Sequence, residues 1–345
     1  MNIALVFFLI VLLLNYSLDI SFSEKIYINN KLSYLNLLSL RGVLTIVIIF
    51  HHLVVSYPSL NINLGILYYL LSHMGYLSVG IFLFMSGYGL EYNYEIKGKP
   101  YLYSLINKNK YILCIFLYIN MLYFVLSPLY SSYKENIDVL YTGFFTGSLL
   151  CGPSWYLINL VCLYTLFYIS KKSNHFYLIL ITGGLCINVF YLLIGYPIIW
   201  GISNLSFLIG VIVAKLMDNR NIYISLFKVL FYSCLLFLSF TVISCLPMIT
   251  FEKFKYLSLL VSTPIFTLFA ALLYLCFTYR RSWFNFLGKH SLEIFLIHVL
   301  VYKILRGNYI YINNDFLYVS STIIISVLIA LPLSYINKYL ANCIK

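Results

Sequence analysis

Apolar positions in this chain come as long unbroken runs separated by short polar breaks. Eleven such runs can be read, at about 3–19, 36–57, 74–92, 110–128, 154–170, 176–194, 198–216, 222–246, 256–277, 286–305 and 316–341. Most have the length that an α-helix needs to cross a bilayer, about 20 residues at 1.5 Å each. In lipid the backbone must satisfy its own hydrogen bonds, so such runs predict transmembrane helices. The expected fold is therefore all-α, a polytopic transmembrane helical bundle. The first run has no Lys or Arg before it and so lacks the basic region of a secretory signal. It is read as an uncleaved extra span at 1–22, ahead of a ten-span domain over 35–341.

The breaks between runs orient the bundle. With residues 20–41 on the cytoplasmic side, sixteen basic residues fall there: Lys25, Lys31, Arg41, Lys97, Lys99, Lys108, Lys110, Lys171, Lys172, Lys215, Arg220, Arg280, Arg281, Lys289, Lys338 and Lys345. Five fall on the opposite side: Lys134, Lys253, Lys255, Lys303 and Arg306. That asymmetry is the positive-inside pattern, and it predicts a multi-pass membrane protein with residues 20–41 on the cytoplasmic side.

Composition narrows the function classes. Of 345 residues, 62% are hydrophobic and 9% charged, far from the roughly 25% charged of a soluble domain. The formal net charge of +12 follows from the loop asymmetry, so no nucleic-acid partner is expected. The eight cysteines include no CxxC spacing, which argues against a disulfide framework or a metal site. Cys151 alone is expected to face outside. The extracytoplasmic stretch "SPLYSSYKENIDVLYTGFFTG" is rich in the aromatics of an interfacial belt and is also a candidate surface for an external substrate.

Ionisable residues at membrane depth are costly and become candidates for chemistry. In "LRGVLTIVIIFHH", Arg41 precedes His52 by eleven residues. On a helix His52 lies ~16 Å deeper and ~20° off the same face, whereas His51 points ~80° away. An arginine can hold a phosphate in bidentate fashion, and an extended thioester arm would reach from there to a buried imidazole able to deprotonate a hydroxyl. The tenth span, "FLGKHSLEIFLIHVLVY", brings Ser291 and His298 close to one face, with Glu293 on another face nearer the rim. In the third, "GYLSVGIFLFMSGYGLEY", small residues at Gly75, Gly80, Gly87 and Gly89 permit close approach of helices or of a substrate arm, and Glu91 ends the span as a rim charge.

These segments together resemble the acyltransferase 3 family, bacterial integral-membrane O-acyltransferases of about ten spans. The resemblance covers residues 35–340. Arg41 and His52 are similar to its Arg-x10-His motif, and "FLFMSGYGLEY" is similar to its Phe-rich Ser-Gly-Phe stretch. "PSWYLINLVCLY", "FLIGVIVAK" and "LGKHSLEIFLIHVLVY" resemble three further pieces in the same order. The loop after the Ser-Gly-Phe stretch departs from the pattern, offering Lys108 and Lys110 where arginines are common.

The resemblance implies an O-acetyltransferase of cell-surface polysaccharide type, with acyl-CoA (acetyl-CoA first) as donor substrate and no bound cofactor or metal. It implies Arg41, Lys108 and Lys110 as acyl-CoA-binding residues and His52 as the catalytic base, with His298, Glu293 and His51 as supporting candidates. The partners are the lipid bilayer, acyl-CoA and a surface glycan or lipid-linked oligosaccharide. The competing readings are a multispan polysaccharide polymerase or flippase and a transporter. Neither polymerase nor flippase needs an Arg/His face aimed at the cytoplasm, and a transporter would show repeated halves.

Overall fold

A computed structural model describes residues 18–20, 25–27, 34–57, 66–217, 223–249, 255–279 and 282–344. The expected first span at 3–19 lies almost wholly outside the described residues. All ten core segments are helical: α1 (Tyr34–Ser56), α2 (Ile66–Lys97), α3 (Lys99–Leu126), the non-spanning α4 (Tyr133–Thr146), α5 (Trp155–Lys172), α6 (Phe176–Leu193), α7 (Asn204–Leu216), α8 (Leu226–Ile249), α9 (Lys255–Cys276), α10 (Ser282–Lys289), α11 (Ser291–Leu305) and α12 (Asp315–Ile344). Among the described residues, eight helices are long and apolar enough to cross a membrane, and the pair α10–α11 makes a ninth. α2, 32 residues or ~48 Å long, also exceeds the ~30 Å hydrocarbon thickness.

The described residues thus form a multi-pass membrane protein. Large apolar side chains exposed around its flanks, such as Leu117, Phe190, Leu193, Leu238 and Leu328, have lipid as their solvent. Four three-residue strands make two short antiparallel ribbons: β1 (Leu18–Ile20) with β4 (Phe277–Tyr279), and β2 (Lys25–Tyr27) with β3 (Tyr223–Ser225). They join the N-terminal segment to one end of the bundle. That end also carries Lys97, Lys99, Lys171, Lys172 and Lys215 at helix termini and is called the basic end below.

Two features differ from the sequence expectation. The tenth span is not one rod: α10 and α11 meet at His290 with a bend of 74°. α10 lies across the basic end of α1, and the contact is too close for side chains. A Cβ at Gly42 would run into the Phe284 carbonyl, and one at Gly288 would run into the Leu38 carbonyl. Ser39 Oγ–H adds a 2.5 Å bond to Asn285 Oδ1. With α10 pinned there, the bend lets α11 run along α1. The second difference is Cys151, which is fully buried, its thiol 3.6 Å from the Leu296 carbonyl.

α2 and α3 are joined through Gly98 at φ 64°, a left-handed backbone that glycine adopts without steric cost. This tight reversal seats α3 against the same core as α1, α5 and α11.

Candidate functional site

The ladder of chemistry starts where the close α1–α10 contact ends. Arg41 follows Leu40 and precedes Gly42, so its side chain leaves α1 beside the packed Gly42–Gly288 seam and enters a cavity of about 250 Å³. α3 supplies Lys108 to that cavity, α5 supplies Tyr156 and Tyr164, and α11 supplies Ser291 and Phe295. The Lys108 ammonium lies 4.7 Å from the centroid of the Tyr164 ring, a cation–π contact. The buried Nε of Arg41 has no hydrogen-bond partner among the described residues.

No carboxylate lines this cavity. The contrast with cations that do have a carboxylate partner is informative. Lys171 pairs with Glu91 at 2.7 Å, and Arg306 pairs with Asp315. Arg41 and Lys108 instead share one cavity, and no ion pair neutralises either among the described residues. Two cations without a counter-charge at one cavity, a half-buried arginine and an exposed lysine, are suited to hold an anion, the guanidinium as a fork and the ammonium as a point charge.

Lys110 is elsewhere. Two residues beyond Lys108, it is turned ~200° around α3 and lines a separate groove with Leu105, Ile106, Leu113, Val161 and Tyr168. The structure thus brings Arg41 and Lys108 together and leaves Lys110 out.

Deeper along the same faces lie the imidazoles. The ring centroids of His52 and His298 are 5.0 Å apart, and His51 and His52 are also 5.0 Å apart. His51 is turned away to donate from Nδ1 to the Leu71 carbonyl at 2.9 Å, tying α1 to α2. Its ring packs directly on the Cα of Gly75, where no Cβ would fit. His298 is fully buried. Its Nδ1 donates to the Ile294 carbonyl at 3.2 Å, which fixes the tautomer and leaves Nε2 as a bare, buried acceptor without a partner among the described residues.

The turn that carries His298 is held from α3. The Tyr123 hydroxyl donates to the Leu296 carbonyl at 2.7 Å and accepts from the Leu300 amide at 2.9 Å. Carbonyl 296 and amide 300 are each other's helical partners by spacing, so one phenol holds both groups of a single rung of α11, which is helical throughout. Sequence reading offered no sign of it, since nothing local distinguishes Tyr123 from the other 34 tyrosines.

Glu293 faces another way. It accepts from Asn337 Nδ2 at 2.7 Å, and Asn337 Oδ1 accepts from Tyr118 at 2.6 Å. This chain joins α11 to α12 and α3 and does not enter the cavity. Beyond the histidines the pairing of α1 and α11 continues, with Ser56 donating to the Tyr302 hydroxyl at 3.1 Å. One face of α11 therefore presents Ser291 and Phe295 to the cavity, then His298 to His52, then Tyr302 to Ser56.

No curated protein and no solved structure matches the chain. The sequence profile of the acyltransferase 3 family, described as an acyltransferase domain, matches residues 32–335 and so takes in every helix that builds this cavity and its histidines. The chain belongs to the acyltransferase 3 family.

Proposed function

We propose that this membrane acyltransferase moves an acyl group, acetyl in the first instance, from cytoplasmic acyl-CoA to a hydroxyl of an extracytoplasmic glycan. The observation that carries the reading is the uncompensated Arg41–Lys108 pair in a cavity whose inner end adjoins the His52–His298 pair. The basic end faces the cytoplasm in this reading, so the cavity meets acyl-CoA from the side on which it is made.

Phosphate oxygens of the donor bind Arg41 as a fork and Lys108 as a point charge. The pantetheine arm runs inward along the ~16 Å that separates Arg41 from His52 on α1, and its thioester comes to rest at the imidazoles. His52 removes the proton of the acceptor hydroxyl. The oxygen attacks the acyl carbon, the new C–O bond forms, the C–S bond breaks, and the proton passes from His52 to the departing thiolate. Donor and ester product balance with no redox step and no metal. The bare Nε2 of His298 accepts a hydrogen bond from this reacting group or from His52.

The test uses the full chain in lipid nanodiscs with acetyl-labelled acetyl-CoA and membranes that carry endogenous glycan. Label should appear in glycan and free CoA thiol should be released. His52→Ala should lower transfer by a factor of about 10²–10⁴, the usual weight of a general base, with insertion intact. Arg41→Ala should chiefly raise KM for acetyl-CoA, by roughly 10- to 100-fold for loss of a charge-assisted contact. Full activity of His52→Ala sinks the reading, and a polymer lost rather than unacylated points to a polymerase or flippase.

A further inference from the structure

We propose that Phe295 is the end wall of the donor cavity and sets the length of the acyl group that the enzyme accepts; this rests on the acyl-CoA reading above. Phe295 is the residue at which cavity and histidines meet. It lines the cavity together with Arg41 and Lys108. Its ring stands 5.6 Å from that of Tyr156, edge to face, on the cavity side. On the other side it stands 6.1 Å from the ring of His298, which is itself 5.0 Å from His52. Both walls are nearly closed, Phe295 being 7% and Tyr156 7% exposed.

The acyl carbon must reach His52, so the acyl tail has to lodge between Phe295, His298 and His52. Among the described residues, the core around that point is tightly packed. Ile48, Ile49, Phe50 and Leu53 on α1 and Leu300 on α11 are 0–2% exposed and belong to the packed core. Interiors are packed without voids of methylene size, so a methylene added to an acetyl group on the Phe295 side displaces that ring or strains the core. The cavity itself, about 250 Å³, lies just below the range of ~300–1,000 Å³ usual for small-molecule pockets, and an extended arm fills it. The expected donor class is therefore acyl-CoA with a two-carbon acyl group, and the group that discriminates against longer chains is the Phe295 ring.

The experiment supplies acetyl-, butyryl- and hexanoyl-CoA, each labelled in the acyl group, to the full chain in membranes that carry its glycan, and reads the ratio of kcat/KM values. Wild type should favour acetyl over butyryl by at least ten-fold, since one methylene in a shaped pocket is worth roughly 10- to 200-fold. Phe295→Ala should raise the butyryl-to-acetyl ratio ten-fold or more. Phe295→Leu, which keeps an apolar side chain and serves if the Ala variant fails to insert, should move it in the same direction by a smaller factor. Phe295→Trp should lower acetyl transfer. A wild type that transfers all three chains equally, or a ratio unmoved in both the Ala and Leu variants, overturns the proposal while leaving the acyltransferase reading intact. A wild type that transfers no acyl group from any CoA defeats that reading, and this inference with it.

Discussion

A neutral imidazole offers one donor and one acceptor, and what the donor touches decides where the acceptor points. His298 gives its Nδ1–H to the Ile294 carbonyl one helical turn back, so the ring is locked by its own helix and Nε2 stands bare next to His52. His51 has the same arrangement with the Leu71 carbonyl, but there the result is a tie between α1 and α2. Of three adjacent histidines, two therefore face each other and carry the proposed reaction, and one is a strut. The expected consequence is that His298→Ala lowers kcat by about 10- to 100-fold, as for an oriented hydrogen bond that strengthens in the transition state. KM for acyl-CoA should stay within about two-fold, because the proposed phosphate contacts are with Arg41 and Lys108 in a cavity that His298 does not line. His298→Gln, which can restore an acceptor near the Nε2 position, should recover part of the loss. Glu293→Gln should retain transfer, since its bond to Asn337 survives the substitution and leads away from the cavity. Steady-state kinetics on the three variants decides this. A kcat loss for Glu293→Gln equal to that of His298→Ala would reverse the assignment.

Helices rather than loops position this chemistry, and the most consequential contact between them is one phenol. α3 reaches into α11 through Tyr123, whose hydroxyl takes the Leu296 carbonyl and the Leu300 amide that a regular helix would pair with each other. Two turns of α11 carry Phe295, His298 and Tyr302, so the phase of this stretch sets which of them meet the cavity and which meet His52. In Tyr123→Phe the carbonyl and amide keep only each other as partners, and the brace from α3 that fixes this turn of α11 is lost. We expect a small change in thermal stability, because the backbone groups remain paired. We also expect transfer to fall several-fold through kcat, with the butyryl-to-acetyl ratio shifted because Phe295 moves with the turn. A purely structural role would lower stability and leave that ratio fixed, so the ratio is the deciding readout. Such a contact was out of reach of sequence reading, because it joins residues 173 to 177 apart with no pattern local to either. The Arg41–His52 face was legible because both lie on one helix, where 3.6-residue geometry converts spacing into direction. Lys108 and Lys110 were read together as loop residues, and it is the helical continuation of α3 back to Lys99 that parts them.

For the whole molecule, the apolar runs and the loop charges made the architecture legible, since a bilayer leaves the backbone few choices. They did not reveal the bend at His290, which follows from glycine seams between α1 and α10, nor the way charges close the basic end. There Glu91, read from sequence as a rim charge, is fully buried. It accepts from Lys171 at 2.7 Å, and Lys171 is 3.8 Å from Glu95, which also pairs with Lys215. The rings of Tyr94 and Phe176 lie 4.3 and 4.2 Å from the Lys171 ammonium. This net fastens α2, α5 and α7 at one end, and it stands apart from the cavity lining. Breaking a buried pair from one side leaves an uncompensated charge and costs about 3–5 kcal/mol, whereas replacing both partners with apolar groups is often close to neutral. Lys171→Ala should therefore lower the apparent unfolding temperature of the detergent-solubilised protein by several degrees, and Lys171→Leu with Glu91→Leu should recover most of that loss. In both, KM for acyl-CoA should remain that of wild type. A single variant as stable as wild type would mean that the net is solvated and weak. A double variant as unstable as the single one would mean that the bundle needs the charges themselves, as register devices that hold α2 against α5 and α7.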